Sequence, residues 1–147
     1  MDAAAFIRWA LDDARTIEDR FTTELLVEDA IRTWHVRHQT GKCERGELKH
    51  ERDRQRWLNP AYEPSYSAEN LRRAAEIFTD QKAWSGPYSY QSRPIRDLKV
   101  LRFLPALEDV KFGNCEVEDL SPLADLPRLR VLHFGSPKCE DFRPLAR

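Results

Sequence analysis

Two consecutive stretches of equal length, LPALEDVKFGNCEVEDLSPLAD (104–125) and LPRLRVLHFGSPKCEDFRPLAR (126–147), carry Leu, Pro, Leu, Phe-Gly, Glu-Asp and Pro-Leu-Ala at matching offsets. A tandem period constrains a chain more than its composition does. A unit too small to bury its own apolar row must stack that row on a neighbour. In the first block the large apolar positions are Leu104, Leu107, Val110, Phe112, Val117, Leu120 and Leu123. In the second, Leu126, Leu129, Leu132, Phe134, Cys139, Phe142 and Leu145 fill the same seven places. A degenerate third copy precedes them at Lys82 to Phe103, with Tyr88, Tyr90, Ile95, Leu98 and Leu101 in phase. Asp97, Asp119 and Asp141 share one position in all three copies.

The series Leu107, Val110, Phe112, Cys115, Val117 has the spacing L-x-x-L-x-L-x-x-N/C-x-L, and with it the chain resembles the leucine-rich-repeat family. The 22-residue period and the DLSPLADL ending look like that family's short bacterial, internalin-type class. The resemblance covers residues 82–147. It departs from the pattern at Ser85, which replaces a core Leu, and at Arg93 and Pro137, which stand at the N/C place. It implies a small parallel sheet of short strands with alternate side chains inward, and Pro-containing turns on the opposite side. It also implies a solenoid of three units, 82–103, 104–125 and 126–147.

Residues 1–81 follow a different period. Phe6, Ala10, Ala14, Ile17, Phe21 and Leu25 recur at three- and four-residue steps, and Leu26, Ala30, Ile31 and Trp34 extend the stripe, which is helical spacing. Thr16 to Asp19 resembles a capping box and marks a restart or kink. Gly41 suits a helix end. The charged run from Cys43 to Leu58 reads as a helix with Leu48, Trp57 and Leu58 as its apolar contacts and Lys49–Asp53 as an ion pair. Two prolines make 59–67 a loop, and Ser67 is placed to N-cap a helix to Phe78 whose buried stripe is Leu71, Ala74, Ala75 and Phe78. The expected fold is therefore α+β: a helical region, 1–81, capping the first repeat, with Trp84 at the junction.

Composition narrows the chemistry. With 24 basic and 25 acidic residues the net charge is −1, which supplies no general drive toward nucleic acid or membranes. The basic run KHERDRQRW is interrupted by Glu51 and Asp53, so no continuous phosphate-binding stripe is expected. Three widely spaced cysteines make no disulfide framework. Asp2 sits where a signal peptide requires positive charge, and the apolar run beside it is too short to span a bilayer, so a soluble cytoplasmic protein is expected. His35, His38, Cys43 and His50 form the one cluster of metal-ligating types. Their spacing fits no familiar zinc pattern, and Arg37, Lys42, Arg45 and Lys49 crowd it with positive charge, so neither metal nor cofactor is expected. No G-x-G loop or nucleophile–base set stands out. Cys115 and Cys139 occupy interior repeat positions, as packing residues do.

What remains is surface. By register the outward strand positions are Pro87, Ser89 and Gln91, then Asp109, Lys111 and Gly113, then Val131, His133 and Gly135. Glu108, Arg128 and Arg130 lie at the rim. Lys111 beside His133 would make a small basic centre. The expected protein-binding set is Ser89, Gln91, Asp109, Lys111, Arg130 and His133, in a non-enzymatic interaction protein of inhibitor, immunity or adaptor type. A second contact is expected at the end of the array, where Leu129, Leu132, Phe134, Phe142 and Leu145 leave an apolar edge. That edge could pair with a second copy as a homodimer, dock another protein, or continue into further repeats. The competing reading is a metal- or ligand-binding helical domain, enzymatic or not, with the repeats appended.

Overall fold

The structure, a computed structural model, describes residues 1–38, 66–86, 93–135 and 138–146. Helix α1 (Ala3–Ala10) starts at Asp2, whose carboxylate accepts the Ala5 N–H at 3.0 Å. The chain then breaks and restarts at Thr16, whose hydroxyl accepts the Asp19 N–H and so N-caps α2 (Ile17–Arg37). The break leaves Ala14, an expected member of the helical stripe, exposed in the connection. Glu18 and Asp19 in the first turn of α2, with His35 and Arg37 in the last, complement the helix dipole. His38 caps that helix, so it ends ahead of Gly41, where the sequence places the end. Gly41 lies outside the described residues, as do Leu48, Trp57, Leu58 and the Lys49–Asp53 pair. Ser67 caps α3 (Ala68–Phe78), which buries Leu71, Ala74, Ala75 and Phe78 as expected, and Ile77 as well.

One arginine ties these helices together. The side chain of Arg15 is 4% exposed. Its guanidinium donates from Nε and Nη2 to the two Asp19 oxygens, from Nη1 to Ala10 O and Tyr66 Oη, and from Nη2 to Thr23 Oγ1. All five N–H groups thus have an acceptor, which is what a buried guanidinium requires. Its Cζ also lies over the Trp9 ring, 3.6 Å from the ring centre. Burial holds the Tyr66 hydroxyl above its ordinary pKa, and it donates its proton to Ala10 O at 2.9 Å. The end of α1, the start of α2 and the approach to α3 therefore meet at one polar centre.

Beyond the helices lies a three-stranded parallel sheet in chain order: β1 (Ala83–Ser85), β2 (Asp109–Phe112) and β3 (Val131–Phe134). Asp109 pairs with Val131 and Phe112 with Phe134, a shift of one whole repeat. Between strands the chain turns through short helical segments at Lys99–Phe103 and Ser121–Ala124 (α4), and again after β3 at Arg143–Leu145. Their first residues, Lys99, Ser121 and Arg143, hold the same place in the three blocks. The first block keeps the period in its turn and loses it in its strand. Trp84, not Tyr88, stands opposite Val110, and Ser85, not Ser89, stands opposite Lys111. The physical reason is burial: Trp84 is the largest apolar side chain of the segment, and in this register it is 2% exposed and faces Phe112 at 5.9 Å. Tyr88, Tyr90 and Gln91 lie outside the described residues.

A continuous apolar core runs from Phe6 to Cys139. Phe6 contacts both Phe78 and Phe103, at 5.2 and 5.3 Å between ring centres, and the Trp9 ring lies tilted against Phe103 at 4.9 Å. Helix α1 thus covers the turn side of the first block. Among the described residues no helix is long and apolar enough to cross a membrane.

Because removing one partner of a buried ion pair strands the other, Arg15→Ala should lower unfolding free energy by about 3–5 kcal/mol in urea denaturation. Arg15→Lys should recover only part of it, since an ammonium cannot span the same acceptors.

Candidate functional site

Alternation along the strands separates a buried row from an accessible one. Val110 and Phe112 are fully buried, whereas Asp109 and Lys111 are partly exposed. In β3 the accessible row is Val131 and His133, and in β1 it is Ala83 and Ser85. The register sets Lys111 directly beside His133, as the sequence suggested, and Asp109 beside Val131. The expected basic centre is however partly neutralised, because Lys111 Nζ lies 2.6 Å from Asp109 Oδ2 on the same strand face. Positions i and i+2 of a strand point to the same side, so this pair follows from the spacing alone. Of the expected binding set, Asp109, Lys111 and His133 form this face, and Arg130 lies at its rim just before β3. Ser89 and Gln91 lie outside the described residues, and the row position beside Lys111 belongs to Ser85.

The recurrent aspartates have a structural use that the period alone did not reveal. Asp97, Asp119 and Asp141 each accept, through Oδ1, the N–H two residues on, at Lys99, Ser121 and Arg143, at 2.8–2.9 Å. Each is an Asx turn that starts the helical segment on the far side from the strands. They are local caps, one per block. The recurrent Phe-Gly is explained at Gly135, where an added Cβ would lie 2.5 Å from the Gly113 carbonyl oxygen. Only glycine permits that approach of backbone to backbone.

The cysteines behave as packing residues. Cys115 is buried and donates to Gly135 O at 2.9 Å, and burial raises its thiol above the ordinary pKa, which is opposite to the activation of a nucleophile. Cys139 is also buried and donates to Asp141 O. Of the expected metal-ligating types, His35 is buried and His38 exposed. His38 stacks on Trp34 with ring centres 4.3 Å apart, and its Nδ1 and Nε2 contact Trp34 O and Glu76 Oε1 at 2.9 and 3.1 Å. Those contacts hold α2 against α3. Cys43 and His50 lie outside the described residues. Among the described residues no group of three or more His, Cys, Asp or Glu side chains could hold a metal ion.

The inner row ends in a stack: Trp84, Phe112, Phe134 and Phe142 follow one another at 5.9, 6.0 and 6.5 Å. Exposure rises along it, from 2% at Trp84 and 0% at Phe112 to 50% at Phe142. Leu129, Leu132, Phe134 and Leu145 are likewise only partly buried, so the expected apolar edge is present among the described residues. No protein-family model matches the chain, and no match is found among curated proteins or solved structures.

Salt links stitch the blocks on their surface. Glu116 accepts from Arg96 and from Lys138, and Asp141 from Arg143; these bonds hold both carboxyls below the ordinary range. A depressed folded-state pKa contributes stability above the unfolded value, of roughly 3.9 for Asp and 4.3 for Glu, and that contribution is lost as pH falls through the folded value. Carboxyl-detected NMR titration should therefore find Asp141 titrating below an ordinary aspartate. In Arg143→Gln it should move part of the way back up, since the Arg143 backbone N–H still donates.

Proposed function

We propose that this chain is a small leucine-rich-repeat protein, of the short bacterial class, that binds another protein and catalyses nothing. On this reading three repeat units stack as a solenoid, helices α1–α3 cap its first unit, and the molecule works as a soluble cytoplasmic inhibitor, immunity protein or adaptor. The observation that carries the proposal is the whole-repeat register of β2 on β3, with apolar side chains inward and Asp109, Lys111, Val131 and His133 outward. A stacked register of this kind builds a flat, side-chain-rich face from residues far apart in sequence, and such faces are how solenoids engage partners. The aspartate caps and the helical cover on the first block support the same reading, because both serve the stacking rather than a chemical step.

The functional centre on this proposal is Lys111 with His133, flanked by Asp109 and Arg130. Affinity capture from the native host, with mass-spectrometric identification, tests it. Lys111→Glu with His133→Glu should lose the partner that the unaltered chain retains, with unchanged circular dichroism, because both side chains are accessible. Retention of the same partner at equal recovery would remove the strand face from the site.

A further inference from the structure

Charge is distributed unevenly over the three blocks. Residues 82–103 hold five basic side chains and one acidic, 104–125 one basic and six acidic, and 126–147 five basic and two acidic. Neighbouring blocks are thus opposite in sign, and the structure turns that alternation into two columns of contact. At the strand entrances, Lys82 stands 3.8 Å from Glu108. The Lys82 carbonyl accepts the N–H groups of Glu108 and Asp109, and the Glu108 carbonyl accepts those of Arg130 and Val131 in the same way. Lys82, Glu108 and Arg130 therefore occupy one column, positive, negative, positive. At the strand exits, Arg96 and Lys138 both reach Glu116, at 2.9 and 3.1 Å, and make a second column of the same order.

Both columns end in a cation on the side of β3 with which no described strand pairs. No described residue donates to the Arg130 carbonyl or pairs with its guanidinium. Beside this edge lie the half-exposed Phe142 and the partly buried Leu132 and Phe134. We infer that the β3 edge receives a partner protein's extended segment as a fourth parallel strand, and that the segment is acidic at both ends and apolar between. The columns specify its spacing. An acid faces Arg130, apolar residues follow two and four positions later over Leu132 and Phe134, and a second acid eight positions after the first faces Lys138. Glu108, Val110, Phe112 and Glu116 show that arrangement within this chain. Backbone pairing supplies the affinity and the two acids set the register, as in other strand additions.

A second copy is the poorer occupant. Two β3 edges related by a two-fold axis would run antiparallel and bring the cations of one copy against those of the other, and the β1 side of a second copy brings Lys82 to the Arg130 column. The inference rests on the protein-binding reading above and adds the chemistry of the partner.

The test uses the full chain and a fluorescent peptide of residues 107–117 carrying Cys115→Ser, against the same peptide with Glu108→Lys and Glu116→Lys. Fluorescence anisotropy should show the acidic peptide bound about tenfold more tightly than the reversed one, the discrimination that two exposed ion pairs support. Arg130→Gln with Lys138→Gln should abolish that discrimination. Arg130→Glu should by itself shift preference toward the reversed peptide, and thermal denaturation checks that each variant folds. Equal binding of both peptides, or binding of neither, would overturn the inference. So would tighter binding of a single-stranded RNA oligonucleotide than of the acidic peptide, or a dimer in sedimentation that Arg130→Gln with Lys138→Gln dissolves. If these tests fail while Lys111→Glu with His133→Glu still loses a captured partner, only the edge inference falls. If the captured partner is also retained by that variant, the strand-face reading falls with it.

Discussion

An inward side chain of the sheet is fully buried only where a layer lies on each side of it, as at Val110 and Phe112, while Leu132 and Phe134 are partly buried. Phe112 reaches zero exposure because Trp84 lies on one side and Phe134 on the other, while Phe142, with Phe134 on one side, remains half exposed. Burial contributes about 25 cal/mol for each Å² of apolar surface removed from water, so a layer's stability depends on its neighbours more than on its own sequence. Helix α1 gives the first block its neighbour by setting Phe6 and Trp9 on Phe103. The helices are thereby part of the same core, and the Arg15 centre that holds them together serves the sheet at a distance.

That dependence also explains what repeats and what does not. Asp97, Asp119 and Asp141 recur because each starts a turn with its own carboxylate, a local bond that needs nothing from elsewhere. Gly135 recurs from Gly113 because backbones approach closely at that level. The strand of the first block is free to leave the period, since the layer on its other side is not another block. There the size of Trp84 outweighs the phase, and the pairing moves by four positions toward the N-terminus.

Charge supplies a second ordering principle over the packing. The ion pairs Lys82–Glu108, Arg96–Glu116 and Lys138–Glu116 join adjacent blocks at exposed or partly exposed positions, where each pair is worth little in stability. Their value lies in register, because a strand displaced by a single position would turn its apolar row outward and separate the charges at once. The same order places the cations Arg130 and Lys138 beside an apolar surface on the side of β3 with which no described strand pairs.

From the sequence alone, the repeat period, the inward and outward rows of β2 and β3, the Thr16 restart, the Ser67 cap and the buried stripe of α3 could all be read. Each rests on local spacing or on a short-range hydrogen bond, and local spacing is what a sequence displays. The adjacency of Lys111 and His133 followed too, since parallel strands paired one whole repeat apart leave no other arrangement. Tertiary structure alone decided that Trp84 replaces the in-phase Tyr88 and that Arg15 gathers Ala10, Asp19, Thr23 and Tyr66. Those outcomes are competitions between side chains for volume or for a partner. The residues that settle them lie as far apart as Arg15 and Tyr66, 51 positions along the chain, where no periodicity connects them.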